Sequence, residues 1–291
     1  MAIMRKSSVL SFFIYLLSLL PFWAIYVLSD IGYVVLRYVI GYRKAVVHGN
    51  LKNAFPEKSP AERKAIARKF YRFLPDLIVE AIKMRSISPK EATKRMRLCQ
   101  LEELERHFRA GKGVIVVTAH YANWEMGIHA ISLYTTHPAL IVYKPLRDKS
   151  FDTVFNAIRS RFGAIMVPMK QTLRQIVAHR HQPHLSVFVA DQTPSRRDTE
   201  YFIRFLNQDT PVYTGPEKIA KTTGFPVVFC HIDRVKRGHY TGTFTTLVET
   251  PSEVPGNGIT DLHNNMTEEI IRRKPELWLW SHRRWKKKPT R

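Results

Sequence analysis

The sequence predicts an α/β protein with a mixed, largely parallel sheet flanked by helices, preceded by an N-terminal membrane-anchoring helix or hairpin. Short apolar runs rich in β-branched residues recur from residue 113 onward, and segments with helical spacing separate most of them. A long charge-free stretch precedes them near the N-terminus. The length of 291 residues suits one large domain, so we divide the chain into an anchor at 1–45 and a globular domain at 46–291.

The anchor prediction rests on residues 7–29, which are rich in Leu, Phe, Ile and Tyr and contain no charged side chain. Their number exceeds the roughly 20 residues that a helix needs to cross a bilayer. Pro21 interrupts the stretch, so a kinked span and a re-entrant hairpin are both compatible with it. Because no small-residue cleavage site ends the stretch, we expect an anchor and not a cleaved secretion signal.

Helices and strands follow in order through the globular domain. Ser59-Pro60-Ala61-Glu62 and Ser88-Pro89-Lys90-Glu91 each combine a capping Ser, a Pro at the first helical position and a Glu that can close a capping box. Both segments therefore predict helix starts. Strands are predicted at 113–119, 139–143, 164–168, 185–190, 226–232 and 241–248, and helices at 149–160, 170–179 and 216–223.

Polar residues follow three of these strands, at positions where open α/β sheets place their sites. His120, then Lys144 with Pro145, and then Asp191 with Gln192 each come directly after an apolar run. Ligand sites in such sheets lie beyond the carboxyl ends of the strands. We therefore expect one crevice to collect these side chains.

The candidate base is His120, which lies five positions before Glu125. On a continuous helix that separation would rotate the two side chains by roughly 140°, but a strand end, a turn and a new helix can bring them together. Glu125 would then accept a hydrogen bond from one imidazole nitrogen and leave the other free to take a proton from a hydroxyl. This arrangement predicts general base chemistry.

Two other interpretations of the pair stay open at this point. One is a partly buried His in an ordinary helix cap, because a His followed five residues later by Glu is common by chance. The other is a metal site in which His129, four residues after Glu125, completes a set of three ligands with His120. The chain lacks the His-Glu-x-x-His arrangement here, so we expect no metal.

The charge balance indicates an anionic partner. Lys and Arg number 46 against 24 Asp and Glu, which gives a net charge of +22. Such a field attracts nucleic acid, anionic membrane, phosphorylated lipid or an acidic carrier protein. Two cysteines in unrelated surroundings indicate neither a disulfide framework nor a thiolate metal site.

The C-terminal segment combines aromatic and basic side chains. Trp278, Trp280 and Trp285 alternate with His, Arg and Lys residues, a mixture suited to lipid headgroups or phosphates at an interface. An RNA-binding tail would use similar residues for base stacking and phosphate contact. The hydrophobic N-terminus favours a membrane and argues against nucleic acid, which we do not expect as a partner.

Six sequence blocks together resemble a known family, the bacterial late acyltransferases of lipid A biosynthesis, which include the lauroyl and myristoyl transferases. The resemblance runs through essentially the whole chain, and the C-terminal block is the most specific of the six. The blocks are His120-Tyr-Ala-Asn-Trp-Glu125, Tyr143-Lys-Pro145, Arg159-Ser-Arg161-Phe-Gly163, Asp191-Gln192, Pro211-Val-Tyr-Thr-Gly215 and Pro275-Glu-Leu-Trp-Leu-Trp-Ser-His282-Arg-Arg-Trp-Lys286.

The resemblance implies an O-acyltransferase with a glycerolipid-acyltransferase-like fold at the cytoplasmic face of the bacterial inner membrane. The acyl group would arrive on the phosphopantetheine of acyl carrier protein, with no other cofactor. The acceptor would be a lipid A precursor, a phosphorylated glucosamine disaccharide, and inner-membrane lipids would be further partners. A lysophospholipid or an amino-acid lipid is the alternative acceptor.

The resemblance also implies roles for particular residues. His120 would be the base, Glu125 its partner, Asp191 a further catalytic residue, and either Arg159 or Arg161 would stabilise the charge that develops in the site. The remaining matched residues are expected to bind substrate. These are Asn123, Tyr143, Lys144, Gln192, Thr214, Gly215, His282, Arg283 and Arg284.

Overall fold

A seven-stranded sheet forms the centre of the computed structural model, which describes residues 2–194 and 201–287, with side chains from residue 8 onward. The strand order is β1-β9-β8-β2-β5-β3-β4, and β6 pairs with β7 in a separate hairpin. The strands are β1 (Met96–Cys99), β2 (Val114–Thr118), β3 (Ala139–Tyr143), β4 (Ile165–Pro168), β5 (Leu185–Val189), β6 (Phe202–Phe205), β7 (Gln208–Pro211), β8 (Val227–Lys236) and β9 (His239–Val248).

Helices precede the sheet and flank it. Short 3₁₀ turns and one π-helical stretch at Val35–Val39 supplement the α-helices. The α-helices are α1 (Ala2–Leu19), α2 (Phe22–Val34), α3 (Lys44–Ala54), α4 (Pro60–Lys83), α5 (Pro89–Arg95), α6 (Glu102–Arg109), α7 (Trp124–Ile131), α8 (Lys149–Arg159), α9 (Thr172–Ala178), α10 (Gly215–Thr223) and α11 (Gly258–Arg273).

The sheet is mixed and largely parallel, which confirms the predicted fold class. Only the β8–β9 pair within it is antiparallel, and the other five neighbouring pairs are parallel. Strand β2 lies between β5 and β8, and all five of its residues are buried. A parallel strand covered on both faces reads as a continuous apolar run, which explains why this strand was visible in the sequence.

All six predicted strands are present, whereas β1, β6 and β7 were not predicted. Each of these three has four residues, and β7 has the sequence Gln-Asp-Thr-Pro. Strands of four residues are too short to carry a clear periodic signal, because pairing with neighbours decides their conformation. Helices α3, α6 and α11 were likewise not predicted.

The N-terminal helices break at Pro21, where the sequence predicted an interruption. Helix α2 begins immediately after this proline and packs against α4, and α1 packs against α4 and α8. The 18-residue stretch Phe22–Val39 is long and apolar enough to cross a membrane, by length and composition. The boundary between an anchor and a globular domain at residue 45 stays a prediction.

Helix α4 carries two buried carboxylates towards the sheet. Ser59 and Glu62 form the predicted capping box at its start, and Pro60 occupies the first turn. Its apolar stripe is buried against the core, and the same face includes Asp76 and Glu80, which are 1% and 0% exposed. Buried carboxylates need hydrogen-bond partners, and both of these have them on neighbouring elements.

Candidate active site

The register of two neighbouring strands brings His120 and Asp191 together. Thr118 of β2 pairs with Val189 of β5 in a parallel ladder, and each polar residue lies two positions beyond that pair. Their side chains therefore meet at the carboxyl edge of the sheet. His120 Nδ1 lies 2.6 Å from Asp191 Oδ1, and the backbone N–H of His120 donates to the same oxygen at 3.0 Å.

Asp191 is held as a buried anion. Its carboxylate is 4% exposed, and the indole N–H of Trp278 donates to Oδ2 at 2.7 Å. Burial alone would raise the pKa of Asp191, but the attraction of His120 and hydrogen bonds from His120 and Trp278 outweigh burial and lower it to about 2. A carboxylate that is ionised can only accept hydrogen bonds, so His120 Nδ1 carries the proton.

The second ring nitrogen of His120 is the one that Asp191 does not contact. Nε2 makes no hydrogen bond with the part of the chain that the structure describes, and the side chain is 19% exposed. The ring of Trp124 lies edge-on to the imidazole, with 4.9 Å between centroids. With Nδ1 protonated, Nε2 is the basic nitrogen and is open to a substrate proton.

The turn between β2 and α7 is strained at one residue. Ala122 has a φ of +48°, and its backbone N–H donates to the carbonyl of Leu277 at 2.9 Å. A left-handed conformation at a residue with a Cβ costs about 1–3 kcal/mol and persists only where the surroundings fix it. This turn carries the chain from His120 at the strand end to Glu125 in the first turn of α7.

The predicted hydrogen bond between Glu125 and His120 is wrong. Glu125 Oε2 accepts from Arg159 Nε at 2.8 Å, Oε1 accepts from Arg159 Nη2, and Nδ1 of His120 contacts Asp191 instead. Burial would raise the pKa of Glu125, but the charge of Arg159 and, more weakly, that of His120 lower it. Glu125 thus lies near His120, but its carboxylate accepts hydrogen bonds from the guanidinium of Arg159.

The two candidate arginines have different surroundings. Arg159, at the end of α8, forms the two-point contact with Glu125, and its side chain is 20% exposed. Arg161 Nη1 donates to the backbone carbonyls of Met84 at 3.2 Å and of Ile87, next to the end of α4. Of the two, Arg159 is the one that contacts a predicted catalytic residue.

Asn123 is buried beneath the site, where it connects α7 to Glu80. Its Oδ1 accepts from the N–H of Met126 at 2.8 Å and caps α7, while its Nδ2 donates to Glu80 Oε2 at 2.6 Å. Tyr26 and Tyr240 donate to the same buried carboxylate. Burial raises the pKa of Glu80 to about 7. Asn123 therefore positions α7 from below, and its side chain is buried.

The C-terminal segment covers the strand ends. Thr193, two residues after Asp191, donates through Oγ1 to the carbonyl of Arg284 at 2.8 Å, and its Oγ1 lies 3.3 Å from His282 Nε2. Burial lowers the pKa of His282 to about 4, which keeps this imidazole neutral. Arg284 is 1% exposed, burial lowers its pKa to about 10, and Nε and Nη1 have no acceptor among the described residues.

The other predicted binding residues are spread more widely. Tyr143 accepts a hydrogen bond from Asn156 at 2.9 Å, Lys144 is exposed at the end of β3, and Gln192 is half-buried beside Asp191. Thr214 and Gly215 begin α10, where the Thr214 side chain makes no cap bond. A Cβ at position 215 would lie 2.1 Å from the Tyr213 ring, so the close packing there requires glycine. The exposed Arg283 lines a separate groove.

The alternative metal site does not form from its three candidate ligands. His120 contacts Asp191, Glu125 contacts Arg159, and the buried His129 ring packs on Phe162 with 4.2 Å between centroids. Both ring nitrogens of His129 lack a hydrogen-bond partner among the described residues. Burial lowers the pKa of His129 to about 4, as expected for a neutral core histidine.

Two residues have roles in the site that the sequence did not predict. Trp278, which was expected at a lipid or phosphate interface, is buried, and Glu80 was given no role. Trp278 orients Asp191, and Glu80 holds Asn123. A sequence signal existed only for the His120–Asp191 pair, because both residues follow strands with equal spacing. Glu80 reads as one more polar residue on an amphipathic helix, so its contact with the site was not visible.

A strand-end histidine with a buried carboxylate on Nδ1, at the carboxyl edge of a mixed α/β sheet, is an arrangement that enzymes with a histidine general base use. Comparison with known proteins narrows this class. A model of the family described as bacterial lipid A biosynthesis acyltransferase matches residues 4–287, so the chain belongs to that family and is an acyltransferase.

Curated relatives agree with the family. The lipid A biosynthesis palmitoleoyltransferase of Escherichia coli (strain K12) is 24% identical over 250 residues, which cover 85% of this chain and 80% of the relative. The lauroyltransferase of the same organism is 22% identical over 276 residues, 93% and 88% of the two chains. Its myristoyltransferase is 22% identical over 245 residues, 82% and 73%.

Proposed function

We propose that this acyltransferase moves a fatty acyl group from acyl carrier protein to a hydroxyl of a lipid A precursor at the cytoplasmic face of the bacterial inner membrane. His120 is the general base, and Asp191 orients it. The observation that carries the proposal is the 2.6 Å contact of His120 Nδ1 with Asp191, which leaves Nε2 open. The relatives are named as transferases of lipid A biosynthesis, which supports a lipid A precursor as the acceptor.

The proposed reaction is attack of an acceptor hydroxyl on a thioester. His120 Nε2 takes the hydroxyl proton while the oxygen bonds to the carbonyl carbon, whose π electrons move onto the oxyanion. When the oxyanion collapses, the C–S bond breaks and the leaving thiolate takes the proton back from Nε2. An ester and the carrier thiol result, and a base of this kind contributes about 10²- to 10⁴-fold in rate. Asp191 stabilises the imidazolium between the two transfers.

Glu125 acts in this proposal through Arg159. The carboxylate fixes the guanidinium at two points, and the Arg159 side chain remains 20% exposed to solvent. A cation that is positioned before the reaction can stabilise a developing oxyanion by about a few kcal/mol. This replaces the direct His120–Glu125 pair that the sequence suggested with two pairs, His120–Asp191 and Glu125–Arg159.

The acyl carrier is proposed from chemistry and charge. A thioester on the phosphopantetheine of acyl carrier protein is an activated acyl donor, and no other cofactor enters the proposed reaction. The net charge of +22 favours encounter with an acidic carrier and with a phosphorylated acceptor. Both partners are anionic, so one positive surface field would attract each of them.

Attachment to the membrane is supported by the exposed apolar surface of the N-terminal helices. Phe12, Phe13, Trp23, Val39 and Ile40 are 58%, 58%, 72%, 74% and 62% exposed. Exposed large apolar side chains in such number mark a contact with lipid or with another protein. We propose that α1 and α2 hold the enzyme at the bilayer, where its lipid acceptor resides.

The test is direct transfer by the purified full chain in lipid micelles. Acyl carrier protein loaded with a fatty acyl group and a lipid A precursor are supplied, and mass spectrometry follows the ester product. We expect wild-type product formation and a loss of at least about 100-fold in kcat for His120→Asn. His129→Asn, which changes the buried histidine outside the pair, is the matched control, and circular dichroism checks the fold of both variants.

Near-normal transfer by a folded His120→Asn protein would refute the assignment of the base. Replacing the precursor with a lysophospholipid or an amino-acid lipid tests the alternative acceptor. Product formed from one of those lipids, and none from the lipid A precursor, would favour that alternative. Replacing the carrier with an acyl thioester of coenzyme A tests the donor, because equal kcat/KM for the two thioesters would argue against recognition of the carrier protein.

A further inference from the structure

A groove of about 1120 Å³ lies between α3, the β6–β7 hairpin and the C-terminal segment. We call it the basic groove. Its volume is comparable with that of ligand sites, which commonly measure about 300–1,000 Å³. Its charged lining comprises five cations and one carboxylate, namely Lys52, Arg204, Arg283, Lys286, Lys287 and Asp209.

The positive charge of the basic groove is largely uncompensated. Asp209 lies 3.3 Å from Arg204. Lys52, Arg283 and Lys286 make no ion pair within residues 2–194 and 201–287. Three cations held around one concavity attract an anion with several charged oxygens, because each oxygen can accept a charge-assisted hydrogen bond.

The position of the basic groove in the chain relates it to the proposed membrane surface. Tyr38, Val39 and Ile40 are exposed and apolar, and α3, which lines the groove, starts four residues after Ile40. A chain that leaves a bilayer meets lipid headgroups next. The groove therefore lies where the phosphates of a membrane lipid would be found.

Uncharged polar and aromatic side chains add a second kind of recognition. Gln208 lines the groove, and its buried Nε2 has no acceptor among the described residues. Asn53 is exposed in the lining. Trp285 also lines the groove, and its indole Nε1 donates to Thr210 Oγ1 at 2.7 Å. Amides and an indole next to cations suit a sugar that carries phosphate, since hydroxyl oxygens satisfy the amides.

The C-terminal segment joins the basic groove to the active site. Asn50, in the groove lining, donates to the carbonyls of Trp280 at 2.9 Å and His282 at 3.0 Å. On its other side the same segment bonds to Thr193, two residues from Asp191. A headgroup in the groove would thus lie along the segment that covers the strand ends.

We infer that the basic groove binds the phosphorylated sugar headgroup of the acceptor lipid, with Lys52, Arg283 and Lys286 contacting its phosphate oxygens. The inference rests on the proposed function, because it assigns a place to that acceptor. An acidic carrier protein is the competing anion. The concave shape and the amides favour a headgroup, since a folded carrier presents a convex surface.

The experiment compares Lys52→Gln/Lys286→Gln with Lys90→Gln/Lys94→Gln, which removes the same charge from exposed lysines beside another depression. Rates are measured in mixed micelles against the concentration of acceptor and, separately, of loaded carrier. We expect the groove variant to raise KM for the phosphorylated acceptor about 10- to 100-fold, with kcat and the KM for the carrier nearly unchanged. A dephosphorylated acceptor should show equal KM in both variants.

Binding of a deacylated, bisphosphorylated glucosamine disaccharide to the full chain, measured by calorimetry, separates this inference from the proposed function. Loss of that binding in the groove variant supports the groove even if the wild type transfers no acyl group. Transfer with unchanged acceptor KM and unchanged disaccharide binding would overturn the groove and leave the function. A rise in carrier KM alone would assign the groove to the carrier protein, and equal effects in both variants would reduce it to general surface charge.

Discussion

The pKa values of buried carboxyl groups are shifted in opposite directions in two polar regions of the molecule. At the strand ends, Asp191 faces His120 and Glu125 faces Arg159, and the pKa values of both carboxyls are lowered although burial opposes this. Beneath the site, burial raises the pKa of Glu80 to about 7. Asp191 and Glu80 are almost fully buried and the Glu125 side chain is only 15% exposed, so burial alone does not decide their charge.

The difference lies in the partners. Glu80 accepts hydrogen bonds from the hydroxyls of Tyr26 and Tyr240 and from the amide of Asn123, which are neutral groups. Neutral donors offset part of the desolvation cost of an anion, whereas a nearby cation can exceed it. Asp191 and Glu125 therefore stay ionised at neutral pH, whereas Glu80 has a pKa of about 7 and can gain or lose a proton there.

The largest expected effect comes from removing the charge on Asp191. In Asp191→Asn the imidazole loses its anionic partner, the proton on Nδ1 is no longer fixed, and the imidazolium is less stable. We expect kcat for acyl transfer to fall by about 10²- to 10⁴-fold, with the fold retained by circular dichroism.

Trp278→Phe gives a graded comparison, because it removes the 2.7 Å bond to Oδ2 and leaves the carboxylate in place. A loss of roughly tenfold is expected for this variant. A folded Asp191→Asn protein with more than half of wild-type activity would show that His120 does not depend on this carboxylate.

The next effect concerns stability. Glu125→Gln leaves the guanidinium of Arg159, which is 20% exposed, without its ionic partner. Breaking a buried pair from one side costs about 3–5 kcal/mol, so the free energy of unfolding measured with denaturant in detergent should fall by about 3 kcal/mol. Kinetics on the same protein would show whether the oxyanion contribution of Arg159 is lost as well.

Glu269→Gln is the control for that measurement. Its pair with Arg273 is solvent-exposed on both sides, 65% and 58%, and such pairs contribute about 0–1 kcal/mol. Equal destabilisation by Glu125→Gln and Glu269→Gln would mean that the Glu125–Arg159 pair contributes no more to the free energy of unfolding than the exposed pair.

The sequence predicted the framework of this comparison better than its pairings. β-Branched apolar runs located six strands, and their ends placed His120 and Asp191 at one edge of the sheet, where the structure brings them together. The partner of His120 was wrong, because a spacing of five residues is visible in the sequence and a register across 71 residues is not. The sequence analysis paired Glu125 with His120, whereas in the structure Glu125 pairs with Arg159 of α8.

The last expected effect is linked to pH and belongs to Glu80. Its pKa is about 7 in the folded protein against 4.5 for an ordinary carboxyl, so the folded state binds more protons between these values. Stability is therefore fully present below pH 4.5 and is lost as the pH rises through 7, by about 3 kcal/mol in total. Glu80→Gln, which cannot ionise and can keep bonds to its neighbours, should lack this loss.

The measurement is the free energy of unfolding of wild type and Glu80→Gln from about pH 5 to about pH 8. The stability of the variant relative to wild type should improve steadily across the range, and a difference that stays flat would show that Glu80 does not titrate there. Asp191 has the opposite sign, since its pKa of about 2 makes it lose stability only as the pH falls below 3.8. Because Asn123 joins Glu80 to the start of α7, ionisation of Glu80 near neutral pH changes the support of the turn between β2 and α7 while Asp191 stays ionised.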